Sequence, residues 1–363
     1  MRRGGEPMPE PFVYEQSAVR VVSGAGSIAD VPDELDRLGV RRALMLVGAS
    51  GRGDGERLEM ALGARVVGRF DSVRRHVPLA QAQAGRRQAE DVDADGLVCL
   101  GGGSATGAAK AIALCSGLPI LAIPTTYAGS EMTPIWGMTV DGDKRTGIDP
   151  AVQPRTVVYD PELSRRVPLP ITAASVANAL AHCVEGTWTP RANVLTDVSA
   201  VEGARLLHNG LRRVLDAPED LAARSDLLHG ACLAGMVLAG AGTGLHHKLC
   251  HLLGGAFDLP HAETHAAVLP HVAALNADSA PRARDNLASA IGADDLAGGL
   301  FDMFAASGAP TSLRELGLEE AQARATAARL AFATRADLAA VDEQALEELL
   351  LRAWAGERPE GRR

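Results

Sequence analysis

The sequence predicts an α/β N-terminal domain on a Rossmann-like parallel sheet, followed by an all-α C-terminal domain. Three observations carry this. Up to about residue 165, short apolar runs alternate with amphipathic helical stretches, as in a doubly wound sheet. Beyond Pro170, strand signals nearly vanish and helical periodicity takes over. A strand and a proline-rich hinge, RTVVYDPELSRRVPLP, lie between the two regimes. The expected domains are therefore 1–165 and 166–363.

The elements follow in order. Residues 1–10, MRRGGEPMPE, have two arginines but no apolar core behind them, so a disordered lead-in is expected rather than a secretory signal. AVRVVSG reads as a strand, SIADVPDELDRLG as a helix and RRALMLVG as a buried strand. DGLVCLGGGSATGAAKAIALCSG reads as strand, glycine turn and helix, and LPILAIPTT as the next strand. In the second half, ITAASVANALAHCVEGTW, TDVSAVEGARLLHNGLRRVL and AARSDLLHGACLAGMVLAGA are helical, as are the later Ala/Leu/Glu-rich segments.

Composition narrows the function classes. Apolar residues make up 47% and charged residues 22%, the balance of a soluble globular protein. A formal charge of −9 argues against a nucleic-acid partner, which needs clustered Lys and Arg. The arginines of RARDNLASA and GERPEGRR are few and mixed with acids. No apolar run is read as a membrane span. Five cysteines (Cys99, Cys115, Cys183, Cys232, Cys250) without CxxC spacing suggest reduced, buried thiols and a cytoplasmic protein.

Chemistry enters at two loops and one histidine cluster. Gly101, Gly102 and Gly103 end an apolar strand, and Ser104 opens a helix. Such a turn lets phosphate approach the backbone and the free N–H groups of the helix start, although the usual G-x-G-x-x-G spacing is missing and a plain tight turn reads the same way. After the next strand, Thr125, Thr126 and Ser130 place hydroxyls at the carboxyl edge of the sheet, where open α/β sheets bind ligands. LHHKLCHLLGGAFDLPHAETH, residues 245–265, holds five of the ten histidines. His247 and His251 are four apart, as are His261 and His265, and upstream Asn178 and His182. Each pair shares a helical face. Metal ligation and acid–base chemistry both use histidines in this way.

These segments carry a resemblance. FVYE, GGGSATGAAKAIAL, LPILAIPTTYAGSEMTPIWG, RTVVYDPEL, NALAHCVE, LHHKLCHLLGGAFDLPHAETHAAVLPH and RAWAGERP span residues 12–358 in order. With them the chain resembles the iron-containing alcohol dehydrogenase superfamily, of dehydroquinate synthase-like architecture, and within it the maleylacetate reductases. In metal-dependent members an aspartate and three histidines hold a divalent cation. The corresponding positions here are Asn178, His182, His247 and His261, with His251 as a further active-site histidine. The asparagine is what the maleylacetate reductases look like at this place, and the resemblance implies a vestigial cage with no catalytic metal. An amide is a weaker ligand than a carboxylate.

The resemblance implies NADH or NADPH as cofactor, a small dicarboxylate substrate such as maleylacetate, a homodimer, and a role in aromatic-compound catabolism. Lys248 is the first candidate for a substrate carboxylate, with Arg145 and Arg155 behind it. If the cage is empty, its histidines are expected to titrate near neutral pH and to donate protons. Gly48 stands where NAD-selective members hold a carboxylate, and nearby Arg52 is expected to pair with a 2′-phosphate. Three departures stand out: Ala105 in place of a threonine, Ser23 in place of an aromatic, and an atypical ASGRGDGERL. The alternatives are a metal-dependent alcohol dehydrogenase, a lyase of the dehydroquinate synthase type that uses NAD only transiently, and a non-catalytic nucleotide-binding protein.

Overall fold

A computed structural model of the chain describes residues 11–48, 51–141, 143–334 and 342–360. The expected lead-in over residues 1–10 lies outside them, as do parts of the ASGRGDGERL and GERPEGRR segments. A six-stranded sheet is built from β1 (Arg20–Ser23), β2 (Ala43–Val47), β3 (Val66–Phe70), β4 (Gly96–Gly101), β5 (Ile120–Pro124) and β8 (Thr156–Tyr159). Its order is β1-β8-β5-β4-β2-β3, with every neighbouring pair parallel. β2, β4 and β5 are buried at every residue, which is why they read as unbroken apolar runs. Helices α1 (Val31–Leu38), α2 (Arg52–Leu62), α3 (Leu79–Asp91) and α4 (Gly103–Ser116) connect the strands.

Several elements escaped the sequence reading: helices α2 and α3, β3 at the sheet edge, and an antiparallel hairpin of β6 (Ile135–Val140) and β7 (Asp143–Ile148), inserted between β5 and β8.

After β8 every described element is helical. The short α5 (Pro161–Ser164) is capped by Asp160, whose carboxylate accepts from Glu162 N and also from Gly26 N and Ile28 N. Then come α6 (Leu169–Glu185), α7 (Val194–Asp216), α8 (Leu221–Ala241), α9 (Leu245–Phe257) and α10 (His261–Leu275), followed by α11 (Pro281–Ala290), α12 (Leu296–Ser307), α13 (Glu320–Thr334) and α14 (Glu343–Ala355). An Asn193–Thr196 capping box starts α7, and Asp220 caps α8. α8 is, contrary to expectation, long and apolar enough to cross a bilayer. Here it packs against α6 and α7, and its Arg224 is fully buried in the core. The cysteines are all free; Cys99, Cys183 and Cys250 are buried, whereas Cys115 is exposed and Cys232 only partly covered.

Secondary structure changes character near residue 165, but packing does not part there. One apolar cluster runs from Leu46, Leu97 and Ala122 of the sheet through Tyr127 and Met132 into Val176, Leu180 and Leu207 of the helices. Two contacts lock that junction. The Arg224 guanidinium donates to Tyr127 Oη, Thr172 Oγ1, Val167 O and Pro218 O, which joins the loop after β5 to the start of α6. Gly129, at φ 75°, lies directly against Gly235 of α8. A Cβ on Gly129 would stand 2.8 Å from Ala231 O, and one on Gly235 would collide with Gly129 O. Gly235→Ala is therefore expected to lower stability by about 1–3 kcal/mol through forced separation of loop and helix. Denaturant unfolding measures this; an unchanged midpoint would show that the junction yields freely.

Candidate active site

The loops after β4 and β5 lie side by side because those strands pair, with Gly101 opposite Pro124 and Thr125 N donating to Gly101 O. Gly101, at φ 147°, packs backbone to backbone on Gly48, whose Cα stands 3.2 Å from where a Cβ on Gly101 would be. Gly102 precedes α4 and leaves no room beside Thr126 Oγ1. Among the described residues no side chain caps α4; Ala105 N and Thr106 N turn back to Gly102 O, which leaves the N–H groups of Gly103 and Ser104 to meet an anion.

A cleft of about 450 Å³ opens here. Gly103, Ser104, Thr126 and Ser130 form one wall; Asn178, His182, His247, His251 and His261 form the other. A second hollow of about 340 Å³ shares Thr126 with it and runs past Thr125, Gly51, Asp54, Arg57 and Arg166. Together they form a groove along the carboxyl edge of the sheet, the ordinary place for a dinucleotide. Gly48 shapes the groove floor from beneath without lining either hollow.

Helices α6, α9 and α10 converge on the histidine wall. Asn178, His182 and Glu185 share one face of α6, and Glu185 organises the cluster. One carboxylate oxygen accepts from His246 N at 2.6 Å, and the other meets His247 Nδ1 at 2.5 Å. This leaves His247 Nε2 for the cleft, where it has no partner among the described residues; Asn178 Oδ1 is likewise unpaired among them. His182 stacks on His247 with ring centroids 4.5 Å apart. Behind them a chain runs from the interior out to the cleft wall: Cys250 Sγ is 3.7 Å from His246 Nε2, which is 2.7 Å from His265 Nδ1, and His265 Nε2 is 3.2 Å from His261 Nε2.

Electrostatics corrects the expectation that the whole cage titrates near neutrality. Burial, then neighbouring histidines, pushes His182 well below the usual imidazole range. Burial, then the Lys144 ammonium, does the same to His261 and takes His251 down to about 3. Burial opposes ionisation of Glu185, but the His247 ring beside it overrides this and holds the carboxyl at about 2. Glu185 thus sets a buried carboxylate directly against the His247 ring.

The cage was also compared with what a divalent cation requires. Its donors would be one amide and three imidazoles, with no carboxylate, and His261 Nε2 already faces His265. Among the described residues, the trio whose donor atoms lie within 4.8 Å of one another is His246, Cys250 and His265, not His182, His247 and His261. In that trio the two nitrogens at 2.7 Å share a proton. Tetrahedral zinc, bound at roughly 2.0–2.1 Å, would hold them about 3.3 Å apart. The first set therefore offers a dication no anionic ligand, and the second would have to open by about 0.6 Å to take tetrahedral zinc.

Other expectations shift as well. Lys248 is one position round the helix from His247 and does not line the cleft; nor do Arg145 and Arg155. Arg52 is replaced in the second hollow by Arg57, which pairs with Asp54. Sequence reasoning missed Glu185, His246, Lys144 and Lys110. Buried Lys110 donates to Ser130 O, Thr133 O, Thr133 Oγ1 and Ile135 O, pinning the loop that carries Ser130; burial lowers it to about 7.

Known proteins share this sequence and fold. Residues 18–161 match the iron-containing alcohol dehydrogenase domain, and residues 172–354 match the C-terminal domain of the Fe-containing alcohol dehydrogenase family. The chain belongs to the iron-containing alcohol dehydrogenase family. Within this family of oxidoreductases, it is 48% identical over 307 residues to a maleylacetate reductase of Burkholderia cepacia (85% of this chain, 87% of the relative). It is 42% identical to maleylacetate reductase 1 of Rhodococcus opacus, over 96% of this chain and 98% of the relative. The crystal structure of maleylacetate reductase from Agrobacterium tumefaciens superposes with a TM-score of 0.91 at 43% identity, covering 96% of this chain and 100% of that one.

Buried neutral histidines make stability depend on pH. His246 and His251 are held to about 3 and His271 to about 4, against 6.5 when unfolded. Between those values the unfolded chain binds protons that the folded protein refuses, so stability must fall as pH falls below about 6.5. Glu185, held at about 2, adds a loss of the same sign below 4.5. Thermal melts from pH 7 to 4.5 are expected to show a steadily falling Tm; a flat profile would mean that the cluster is already protonated in the folded state.

Proposed function

We propose that the protein is an NAD(P)H-dependent reductase of maleylacetate, or of a related unsaturated keto-dicarboxylate, that works without a catalytic metal. The observation that carries this reading is the Glu185–His247 couple facing the cleft beside Asn178. When bound along the glycine turn, NADH or NADPH supplies a hydride. In maleylacetate the double bond is conjugated with a ketone, so charge gained at the alkene spreads to the ketone oxygen as an enolate. The chain's task is then to stabilise that oxygen and to protonate carbon. A donor at His247 Nε2, with Glu185 ionised behind Nδ1, does both without a Lewis acid. His251, His182 and His261 shape a polar pocket as neutral hydrogen-bonding groups.

Gly103, Ser104, Thr126 and Ser130 are assigned to the cofactor's phosphates and adjoining ribose, Thr125 to the continuation of the groove, and Gly101, Gly102 and Gly48 to the close backbone approach. We further infer a cytoplasmic homodimer joined near β1. Exposed Phe12, Val13 and Val21, at 48%, 89% and 42% accessibility, flank that unpaired sheet edge and support this reading.

Two outcomes are expected. Maleylacetate-dependent NADH oxidation should survive dialysis against a strong chelator, and should fall about a hundredfold or more in kcat in both His247→Ala and Glu185→Gln. Asn178→Asp should increase metal uptake without increasing turnover. Activity lost with EDTA and restored by zinc or iron would return the protein to the metal-dependent group. As to cofactor choice, no carboxylate stands at Gly48, and Arg57 lies in the adjoining hollow. NADH and NADPH are therefore expected to give kcat/KM values within about tenfold of each other. A hundredfold preference for NADH would contradict this.

A further inference from the structure

The hairpin wall of the cleft carries cations that the reading above leaves without a role. Lys144, on β7, is partly buried and lines the cleft. Its ammonium has no hydrogen-bond or ion-pair partner among the described residues, although Glu263 lines the same cleft. Its stem lies over Gly137 of β6, with Cε 3.5 Å from where a Cβ there would stand. An ammonium drawn out of bulk water and left without an acceptor calls for an anion.

A second element is held against the same wall. The register sets Lys144 opposite Thr139. Thr139 Oγ1 donates to His76 O at 2.9 Å, and Thr139 N donates to Val77 O at 3.0 Å. His76 and Val77 have φ values of 60° and 46°. Consecutive left-handed residues are costly, most of all at a β-branched one, and persist only where their surroundings impose them. Burial of Val77 and the two bonds from Thr139 impose the conformation here. The turn so fixed also brings Arg75 into the cleft lining. Lys144 is, moreover, the foremost charged neighbour of both His251 and His261, so it stands toward the histidines.

We propose that Lys144 and Arg75 form a carboxylate-binding subsite at the hairpin end of the cleft, whose ligand is one carboxylate of a small dicarboxylic acid. The proposal rests on the dicarboxylate reading above and gives the substrate an anchor: one end held by charge-assisted bonds, the alkene beside His247 and the glycine turn. The same cations could instead meet the cofactor's phosphates, and the test separates the two sources.

Adipate, a six-carbon dicarboxylate that cannot be reduced at an alkene, serves as probe. Its affinity for the full-length protein with NAD⁺ present is measured by calorimetry, alongside NADH affinity by fluorescence. The proteins are wild type, Lys144→Met, Lys144→Arg and Arg75→Gln. Methionine keeps an unbranched stem over Gly137, and an unchanged Tm confirms that each variant is folded. Lys144→Met is expected to weaken adipate about ten- to hundredfold, Arg75→Gln less, and Lys144→Arg least, with NADH affinity unchanged within about twofold. Unchanged adipate affinity in Lys144→Met, or a loss that falls on NADH instead, overturns the proposal. If wild type fails to reduce maleylacetate but still binds adipate through Lys144, the reductase reading falls and the subsite stands. If turnover is normal and indifferent to Lys144, the subsite alone falls.

Discussion

The Glu185 carboxylate is the interaction on which the site depends. Five imidazoles, those of His182, His246, His247, His261 and His265, lie in a buried network with neighbouring ring centroids 4.5–5.3 Å apart. Several positive charges at that spacing in a dry interior would repel one another strongly, so the cluster folds with most of its rings neutral. A single ionised carboxylate, bonded to His246 N and His247 Nδ1, selects which ring has a counter-charge. It also fixes which nitrogen of His247 is left for the cleft.

The protein body supports that selection by joining two kinds of layer rigidly. Lys110 ties the loop after β5 to α4, Arg224 ties the same loop to α6 and α8, and Gly129 lies against Gly235. These contacts leave the cofactor-side loops little freedom relative to the histidine helices. The loop that carries Thr126 and Ser130 is thus held in place against the helices that carry His182 and His247. On the metal-independent reading proposed above, such preorganisation lets the Glu185–His247 pair supply the charge stabilisation that a metal would otherwise give.

Much of this was legible in the sequence, for definite reasons. β2, β4, β5 and β8 are buried in a parallel sheet, so their apolar runs are continuous and conspicuous. β3 carries Gly68 and Arg69 at a sheet edge and gives no such run. The β6–β7 hairpin is largely half-buried or exposed, and its clearest sequence signal, the Asp-Gly pair in TVDGDK, passed unread. The four-residue spacings exposed the histidine faces, because helical neighbours recur at that interval. Adjacent residues do not share a face, which is why Lys248 was misassigned on its nearness to His247 in sequence. Glu185 could have been found seven residues after Asn178 on the same face of α6. Lys144 could not, since only the tertiary fold brings the hairpin to α9 and α10. The protonation states were also beyond reach, because they depend on burial that spacing does not reveal.

On the proposed reading this site adds hydride to a conjugated alkene with protein donors, and not to a carbonyl held by a metal. The direct measurement is product analysis by NMR after reduction of maleylacetate with NADH deuterated at the transferred position. Conjugate addition places one deuterium on the former alkene carbon β to the ketone and leaves the ketone intact, with a solvent-derived hydrogen on the carbon between them. Deuterium on an alcohol carbon, with the double bond retained, would contradict the account.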